Sequence, residues 1–530
     1  MRLYLIAPAP TFGRDGLFAD KVLNTEERYA LMGSAGITTV AALFGDGIGI
    51  RLCDELIDDV DFDDPADLIG LSMNVGQAAR GIEIARRFRA AGRKVIMGGP
   101  HVSLVPEFFA GEADSLVIGE FETVAEQVRA DALAGRLRPE YRCGKADLAT
   151  APMPRWDLYS NRRTISGVIQ TSRGCPFECN FCDVIQYLGR VQRHKPPPMV
   201  VAEAQALYDL GYRVMNLSDD NFTVYRKASR ALLSELAAWN GHGGRDPVQF
   251  STQASIDLAR DADLVRMCSE AGLRDIFIGI ETSSEEALSE SGKRQNLRQD
   301  LVEATKRIVA GGVVVSAGMM VGFDSDDLGT FERQFAFGMA LPAINLRVSV
   351  LVAPLATPLH AQMKAAGRLV ADDAMAQFYP GGDLWSNIVP RNMSRAQLAE
   401  GASWLAEALF DPDNAIRRFE HVAALLAPPP EHLCRPGGAG RIGRTTGGAG
   451  GLKLIARAAR TPGSRRLIEA VAALSQARPE IARDLSAALV GYLNARLALD
   501  LSGRRVGARA ARPAFFPHPG GPAAMAGFPT

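Results

Sequence analysis

The sequence predicts an α/β chain with three parts: a doubly wound, Rossmann-like N-terminal domain, a partial (β/α)6 barrel and a helical C-terminal region. Three observations carry this reading. Short apolar runs alternate with amphipathic segments over residues 1–140 and again over 164–384. The strand signal fades beyond residue 385. At 530 residues the chain also exceeds what one hydrophobic core normally organises.

In the first alternation, strands are predicted at Leu3–Ala7, Gly49–Cys53, Leu68–Met73, Lys94–Met97 and Ser115–Ile118. The segment Ala78–Ala91 sets Ile82, Ile84, Ala85 and Phe88 near one helical face and its arginines largely on the other. It then passes Gly92 into the next strand, as a parallel crossover requires. A sheet of this kind binds ligands at the carboxyl ends of its strands. Residues 141–163, with Pro152 and Pro154, read as a linker.

In the second alternation, strands are predicted at Ile165–Thr171, Arg213–Ser218, Val248–Gln253, Asp275–Ile280, Val313–Val321 and Leu346–Leu351, separated by helices such as Met199–Leu210 and Leu297–Ala310. Barrels carry their reactive groups on the loops that follow the strands. Residues 385–502 should be helical, for example at Arg395–Phe410 and Arg465–Leu499, placed either to cover the barrel mouth or to complete a core. The glycine-rich stretch 435–451 is expected to be a flexible linker and 503–530 a disordered tail.

Composition narrows the function classes. With 47% hydrophobic and 22% charged residues the chain is an ordinary globular protein, and 59 basic against 60 acidic side chains offer no field for nucleic acid or an anionic membrane. The apolar stretch 311–322 falls well short of the roughly 20 residues that span a bilayer, so it reads as a buried strand and no transmembrane segment is expected. The N-terminus lacks the pattern of a secretion signal, so the cytoplasm is the expected compartment. Three of the seven cysteines crowd into eight residues, which argues for metal ligation rather than a disulfide framework.

Those three are Cys175, Cys179 and Cys182 in TSRGCPFECNFCDV, directly after the first predicted barrel strand. Spacings of four and three let the thiolates converge on one side of a tight loop, and thiolate is the ligand preferred by iron–sulfur clusters. A zinc knuckle would want a fourth Cys or His at comparable spacing, and the nearest histidine, His194, lies twelve residues on. Three ligands for four irons leave one iron open to a small molecule.

The C-x3-C-x2-C pattern after a first barrel strand resembles the radical S-adenosylmethionine superfamily. The resemblance implies a [4Fe-4S] cluster whose open iron chelates the amino and carboxylate groups of S-adenosylmethionine, with Phe181 packed on the adenine. An electron donor such as flavodoxin or ferredoxin is implied with it. The strings LSDDNF (217–222), FIGIET (277–282), GKRQN (292–296), GMMVGFDSD (318–326) and PLATPLH (354–360) narrow the likeness to members with an N-terminal cobalamin-binding domain, especially the hopanoid methylase branch.

On that likeness Asp219, Asp220 and Asn221, after the second barrel strand, contribute to cosubstrate binding, although Asp and Asn there also cap helices well. Ser251, Gln253 and Glu281 are polar groups at the barrel mouth, placed to bind ribose or substrate or simply to solvate strand ends. Gly318 and Gly322 flank a strand where adenosine can approach the backbone, or they relieve packing. In the first domain Gly98, Gly99 and Glu120, in the loops GGPHVSLVPE and VIGEFE, are expected near a corrin, joined by Ser72 after the third strand. The D-x-H-x-x-G string that ligates cobalt in many cobalamin proteins is absent, since Gly99 stands at the Asp position before His101. Members of the family often lack that histidine, so cobalamin remains implied. The implied reaction is methyl transfer to an unactivated carbon of a small-molecule or lipid-like substrate. Radical cyclisation, rearrangement or oxidoreduction, and a non-enzymatic redox sensor, stay open as alternatives.

Overall fold

The computed structural model describes residues 1–10, 28–370, 385–434, 448–501 and 512–516. In chain order the strands are β1 (Arg2–Ala7), β2 (Ala30–Met32), β3 (Gly49–Asp54), β4 (Leu68–Ser72), β5 (Lys94–Gly98), β6 (Ser115–Ile118), β7 (Glu140–Arg142), β8 (Thr164–Ile169), β9 (Ser172–Arg173), β10 (Arg193–His194), β11 (Val214–Leu217), β12 (Gln249–Ala254), β13 (Leu273–Glu281), β14 (Val314–Val321) and β15 (Leu346–Val350).

The first sheet is parallel throughout, in the order β3-β1-β4-β5-β6-β7. Along β1, Leu3 and Leu5 join one core and Tyr4 and Ile6 the other, which is why the run is apolar without a break. The helix Ala35–Phe44 covers one face through Ile37, Ala41 and Phe44, and the helix Ala78–Ala90 covers the other through Ile82, Ile84, Ala85 and Phe88. This is a doubly wound sheet.

The second sheet is an open, parallel half-barrel in the order β15-β14-β13-β12-β11-β8-β2. Its seventh strand was not expected: β2 comes from the N-terminal region and pairs with β8, Ala30 opposite Thr164 and Met32 opposite Ser166. Three residues after a charged stretch carry no periodic signal. The segment 141–163 is not a loose connector either. Trp156 is 2% exposed, and the Tyr159 hydroxyl donates to Asp54 Oδ2 at 2.5 Å.

The C-terminal helices are Arg395–Leu409, Pro412–Leu425, Gly448–Ala458, Pro462–Ala477 and Ala482–Leu501. The stretch read as helical over Arg465–Leu499 is broken near Pro479, whose ring and missing N–H interrupt the ladder. The last helix crosses the amino ends of the barrel strands. Arg483 donates to the carbonyls of Pro247 and Arg213, Asp484 pairs with Arg274 at 2.6 Å, and Gly491 lies against Asn345. It completes the core at the end opposite the mouth.

Of the glycine-rich stretch, 435–447 lies outside the described residues, whereas 448–451 open a helix. Of the expected disordered tail, 512–516 is packed on the barrel, a correction explained by its two aromatics. Phe516 stacks on Phe331 (5.6 Å between ring centroids) and meets Trp404 edge-on, while Arg512 pairs with Glu332. The remainder of the tail lies outside the described residues. No helix among the described residues is long and apolar enough to cross a membrane.

Candidate active site

Strand β8 ends at the half-barrel's carboxyl edge and delivers the chain into the cysteine loop. Its backbone there is held by two carboxylates from the end of β11. Asp219 accepts from the Thr171 N–H (3.0 Å), the Thr171 hydroxyl (2.5 Å) and the Ser172 N–H (2.6 Å), and Asp220 accepts from the Gly174 N–H (2.8 Å). Asn221 donates to Ser255 Oγ at 3.1 Å, and its carbonyl accepts from Gln192. Asp219 is fully buried, and burial pushes its carboxyl up to about 6 despite the three donors. The structure therefore gives Asp219 a scaffolding role: its acceptor sites are occupied by the loop that carries the cysteines.

Cys179 is buried and Cys175 and Cys182 are half-buried, all three as free thiols. Burial raises the thiols of Cys175 and Cys182, the latter to about 12, so the protein alone disfavours their ionised forms and bound iron must supply the compensating charge. Among the described residues no three His, Cys, Asp or Glu side chains are gathered as one metal ion would require. A [4Fe-4S] cluster asks for something else, one thiolate on each of three irons. The three cysteines on one clamped loop fit that demand.

Across from the loop stands the turn Ser291–Asn296. The Asn180 N–H donates to the Ser291 carbonyl at 3.0 Å, and Gly292, at φ +70°, passes so close to Glu178 that a Cβ there would lie 2.9 Å from its carbonyl oxygen. Glu281 adopts φ +66° at a register shift of β13 and forms a short buried ion pair with Lys293. Gln334 Nε2 donates to the Glu281 carbonyl at 3.0 Å, and Asn296 Nδ2 donates to the carbonyls of Gly279 and Ile280. The Lys293 ammonium lies 5.9 Å from the centre of the Phe181 ring. Phe181, Glu281 and the three cysteines thus share one region. The weight of Lys293 was not legible before folding, because its partner is set by the turn.

The other mouth residues divide. Ser251 Oγ accepts from Asn216 Nδ2 at 3.0 Å, and Gln253 is exposed. A Cβ at Gly318 would lie 2.9 Å from the tip of the half-buried Phe277 ring, which would have to shift. Gly322 has φ +102°, and its N–H donates to the buried Asp326 at 2.7 Å.

In the first domain a cleft open to solvent lies between the helix Ala35–Phe44 and the carboxyl ends of β4, β5 and β6. Ser72, Gly98 and Gly99 line it together with Phe44, Val117 and Phe121. Its predominantly apolar walls fit a flat apolar part of a large cofactor. Gly99, at φ +101°, is also demanded by packing, since a Cβ would lie 2.6 Å from the Met73 backbone. His101 packs edge-on against Phe109 in the opposite core, and burial lowers its pKa to about 4.

Glu120 does not line the cleft. It is buried at the junction with the barrel, where it accepts from Arg173 (2.8 Å), from both terminal nitrogens of Arg193 (2.7 and 2.6 Å) and from the Ala146 N–H. These cations and the backbone hydrogen bond outweigh burial and lower its pKa. Arg173 and Arg193 had no distinguishing signal in the sequence.

The radical SAM superfamily model matches residues 169–335, which span the cysteine loop and most of the half-barrel. Over 382 residues the chain is 33% identical to an uncharacterized methyltransferase of Synechocystis, covering 70% of this chain and 69% of that one. The chain belongs to the radical SAM superfamily. This radical SAM chain is also 31% identical to the hopanoid C-2 methylase of Rhodopseudomonas palustris, over 68% of its own length and 69% of the methylase. Its fold is shared by the radical SAM methyltransferase TsrM from Kitasatospora setae, solved with cobalamin and a [4Fe-4S] cluster (TM-score 0.55, 18% identity, 76% of this chain and 84% of TsrM). It is shared too by OxsB, a cobalamin-dependent S-adenosylmethionine radical enzyme solved with aqua-cobalamin and S-adenosylmethionine (TM-score 0.59, 15% identity, 95% of this chain and 84% of OxsB).

Proposed function

We propose that this radical SAM enzyme transfers a methyl group to an unactivated carbon of a small-molecule or lipid-like substrate, with cobalamin held by the first domain. One observation carries the reading. The carboxyl ends of the two sheets meet, with the helix Val184–Tyr187 that follows the cysteines packed on the helix Pro100–Leu104 that follows β5, and the Glu120 junction beside them. A substrate lodged there would be reached from both domains at once. The relatives named as an uncharacterized methyltransferase and a hopanoid C-2 methylase support the reaction class.

When bound, the cluster supplies the electron that cleaves S-adenosylmethionine, and the corrin supplies a methyl group. The chain's own residues hold and orient. Cys175, Cys179 and Cys182 ligate three irons. Phe181 offers an apolar face to the adenine, and Glu281 with Lys293 presents paired charges to the polar part of the cosubstrate. Asp219 and Asp220 act through the loop they clamp, Asn221 is fixed beside them by Ser255 and Gln192, and Ser72, Gly98 and Gly99 leave room for the corrin's approach. The electron comes from a flavodoxin- or ferredoxin-type donor in the cytoplasm.

Anaerobic reconstitution with iron, sulfide and cobalamin, followed by turnover with methyl-labelled S-adenosylmethionine, tests this. Labelled product together with 5′-deoxyadenosine is expected. Deoxyadenosine with an unlabelled product would replace methyl transfer by rearrangement or cyclisation, and its complete absence would sink the enzymatic reading.

A further inference from the structure

We infer that Gln295 is a positioning residue that sets the reduction potential of the iron–sulfur cluster, by donating its side-chain amide to the cluster ligand Cys179. The inference rests on a cluster held by Cys175, Cys179 and Cys182 and goes beyond the ligands themselves. Gln295 Nε2 lies 3.7 Å from Cys179 Sγ, within reach of an N–H···S hydrogen bond, although the two residues are 116 apart in the chain. Cys179 is the buried member of the three.

The donor is held where it is. The turn that carries Gln295 is pinned to the cysteine loop by the Asn180–Ser291 hydrogen bond and by the close pass of Gly292 over Glu178. Behind it, Asn296 is anchored to the carbonyls of Gly279 and Ile280, and the Gln295 carbonyl accepts from Gln299 Nε2 at 2.7 Å. Lys293 in the same region is paired with Glu281. The Gln295 amide is a neutral donor directed at the sulfur of Cys179.

The physical consequence has a fixed sign. One-electron reduction adds negative charge that is shared between the irons and their thiolates. A donor at a thiolate therefore stabilises the reduced cluster more than the oxidised one and raises its potential. Reduction is the step that S-adenosylmethionine cleavage waits on, so the bond favours the active state.

The test uses full-length reconstituted protein and potentiometric titration of the reduced cluster's EPR signal. Gln295→Leu keeps the size and removes the donor, and Gln295→Glu puts an acceptor at the sulfur. Both are expected to titrate at lower potential than wild type. A tenfold fall in the reduced-to-oxidised ratio at one fixed potential corresponds to about 59 mV for one electron. Arg294→Ala, in the same turn but exposed, should titrate as wild type. Unchanged midpoints in Gln295→Leu and Gln295→Glu at wild-type iron content would overturn the inference. A second measurement needs no variant. In wild type carrying glutamine labelled with nitrogen-15 in its side chain, pulsed EPR of the reduced cluster should show a nitrogen-15 coupling, and its absence would overturn the inference even if the variants lose iron. Failure of wild type to take up a cluster would instead sink the cluster reading.

Discussion

On the proposed function each of the three cysteines would hold its own iron, so losing one removes a ligand. Cys179→Ala, reconstituted anaerobically, is expected to lose most of its iron and to yield no 5′-deoxyadenosine, read by iron assay and chromatography. Asp219 shows a different kind of dependence. Its carboxyl titrates near 6 in the folded chain and near the ordinary carboxylate value when unfolded, so the folded state binds more protons between those values. The stability it contributes is fully present below the unfolded pKa and is lost as pH rises through about 6. Relative to Asp219→Asn, which does not titrate, wild type should lose up to about 1.4 kcal/mol of its advantage per pH unit across that window. Urea midpoints at pH 5 and 7.5 measure this, and a gap that widens towards neutral pH would contradict it.

At the scale of elements, the two domains share one hydrophobic core, and a cluster of charged contacts adds to that packing at a loop and a turn. Glu120 is 5% exposed and faces Arg173 and Arg193, at 13% and 19%. Glu120→Ala leaves both guanidinium groups short of their counterion at the junction. Arg173 keeps Glu122, and Arg193 keeps the carbonyls of Ala146 and Leu188, so a loss of about 3 kcal/mol is expected, at the low end for a broken buried pair. The urea transition measures it. The turn opposite the cysteines is equally exacting. Gly292→Ala meets both a left-handed backbone and the Glu178 carbonyl, and should cost more than about 1 kcal/mol and lower the iron retained on reconstitution. Strands were legible here wherever they bury two faces, as β1, β4, β5 and β14 do. The strands β2, β7, β9 and β10 have two or three residues each, too few for any period to show.

Across the whole molecule, the C-terminal helix Ala482–Leu501 closes the half-barrel at its amino end, while Asn387 and Asn392 of the same C-terminal region hydrogen-bond to the loops after β15 and β14 at the mouth. Arg274 and Asp484 are 4% and 5% exposed and 210 residues apart in the chain. Asp484→Ala strands a buried guanidinium and is expected to cost about 3–5 kcal/mol, seen as a lower melting temperature. Deoxyadenosine formed per bound cluster, assayed well below that temperature, should stay near wild type, because the pair lies at the end away from the cysteines. A fall in that ratio would place the helix in the chemistry instead of the scaffold.

What the sequence determined by itself is what local order can carry: the two runs of alternating elements, whose apolar periods record burial on both faces, and the cysteine spacing, whose ligands share one loop. The tertiary structure decided the partners. Asp219, expected to contribute to cosubstrate binding, accepts from the backbone of the cysteine loop, Glu120, expected near a corrin, pairs with Arg193 at the domain junction, and Gln295 lies beside Cys179. Each of these pairings spans 47 to 116 residues, and a side chain's charge or amide is the same in the sequence whether it meets water, a ligand or a distant backbone. Only packing selects among those partners, by burying the group and leaving one of them within reach.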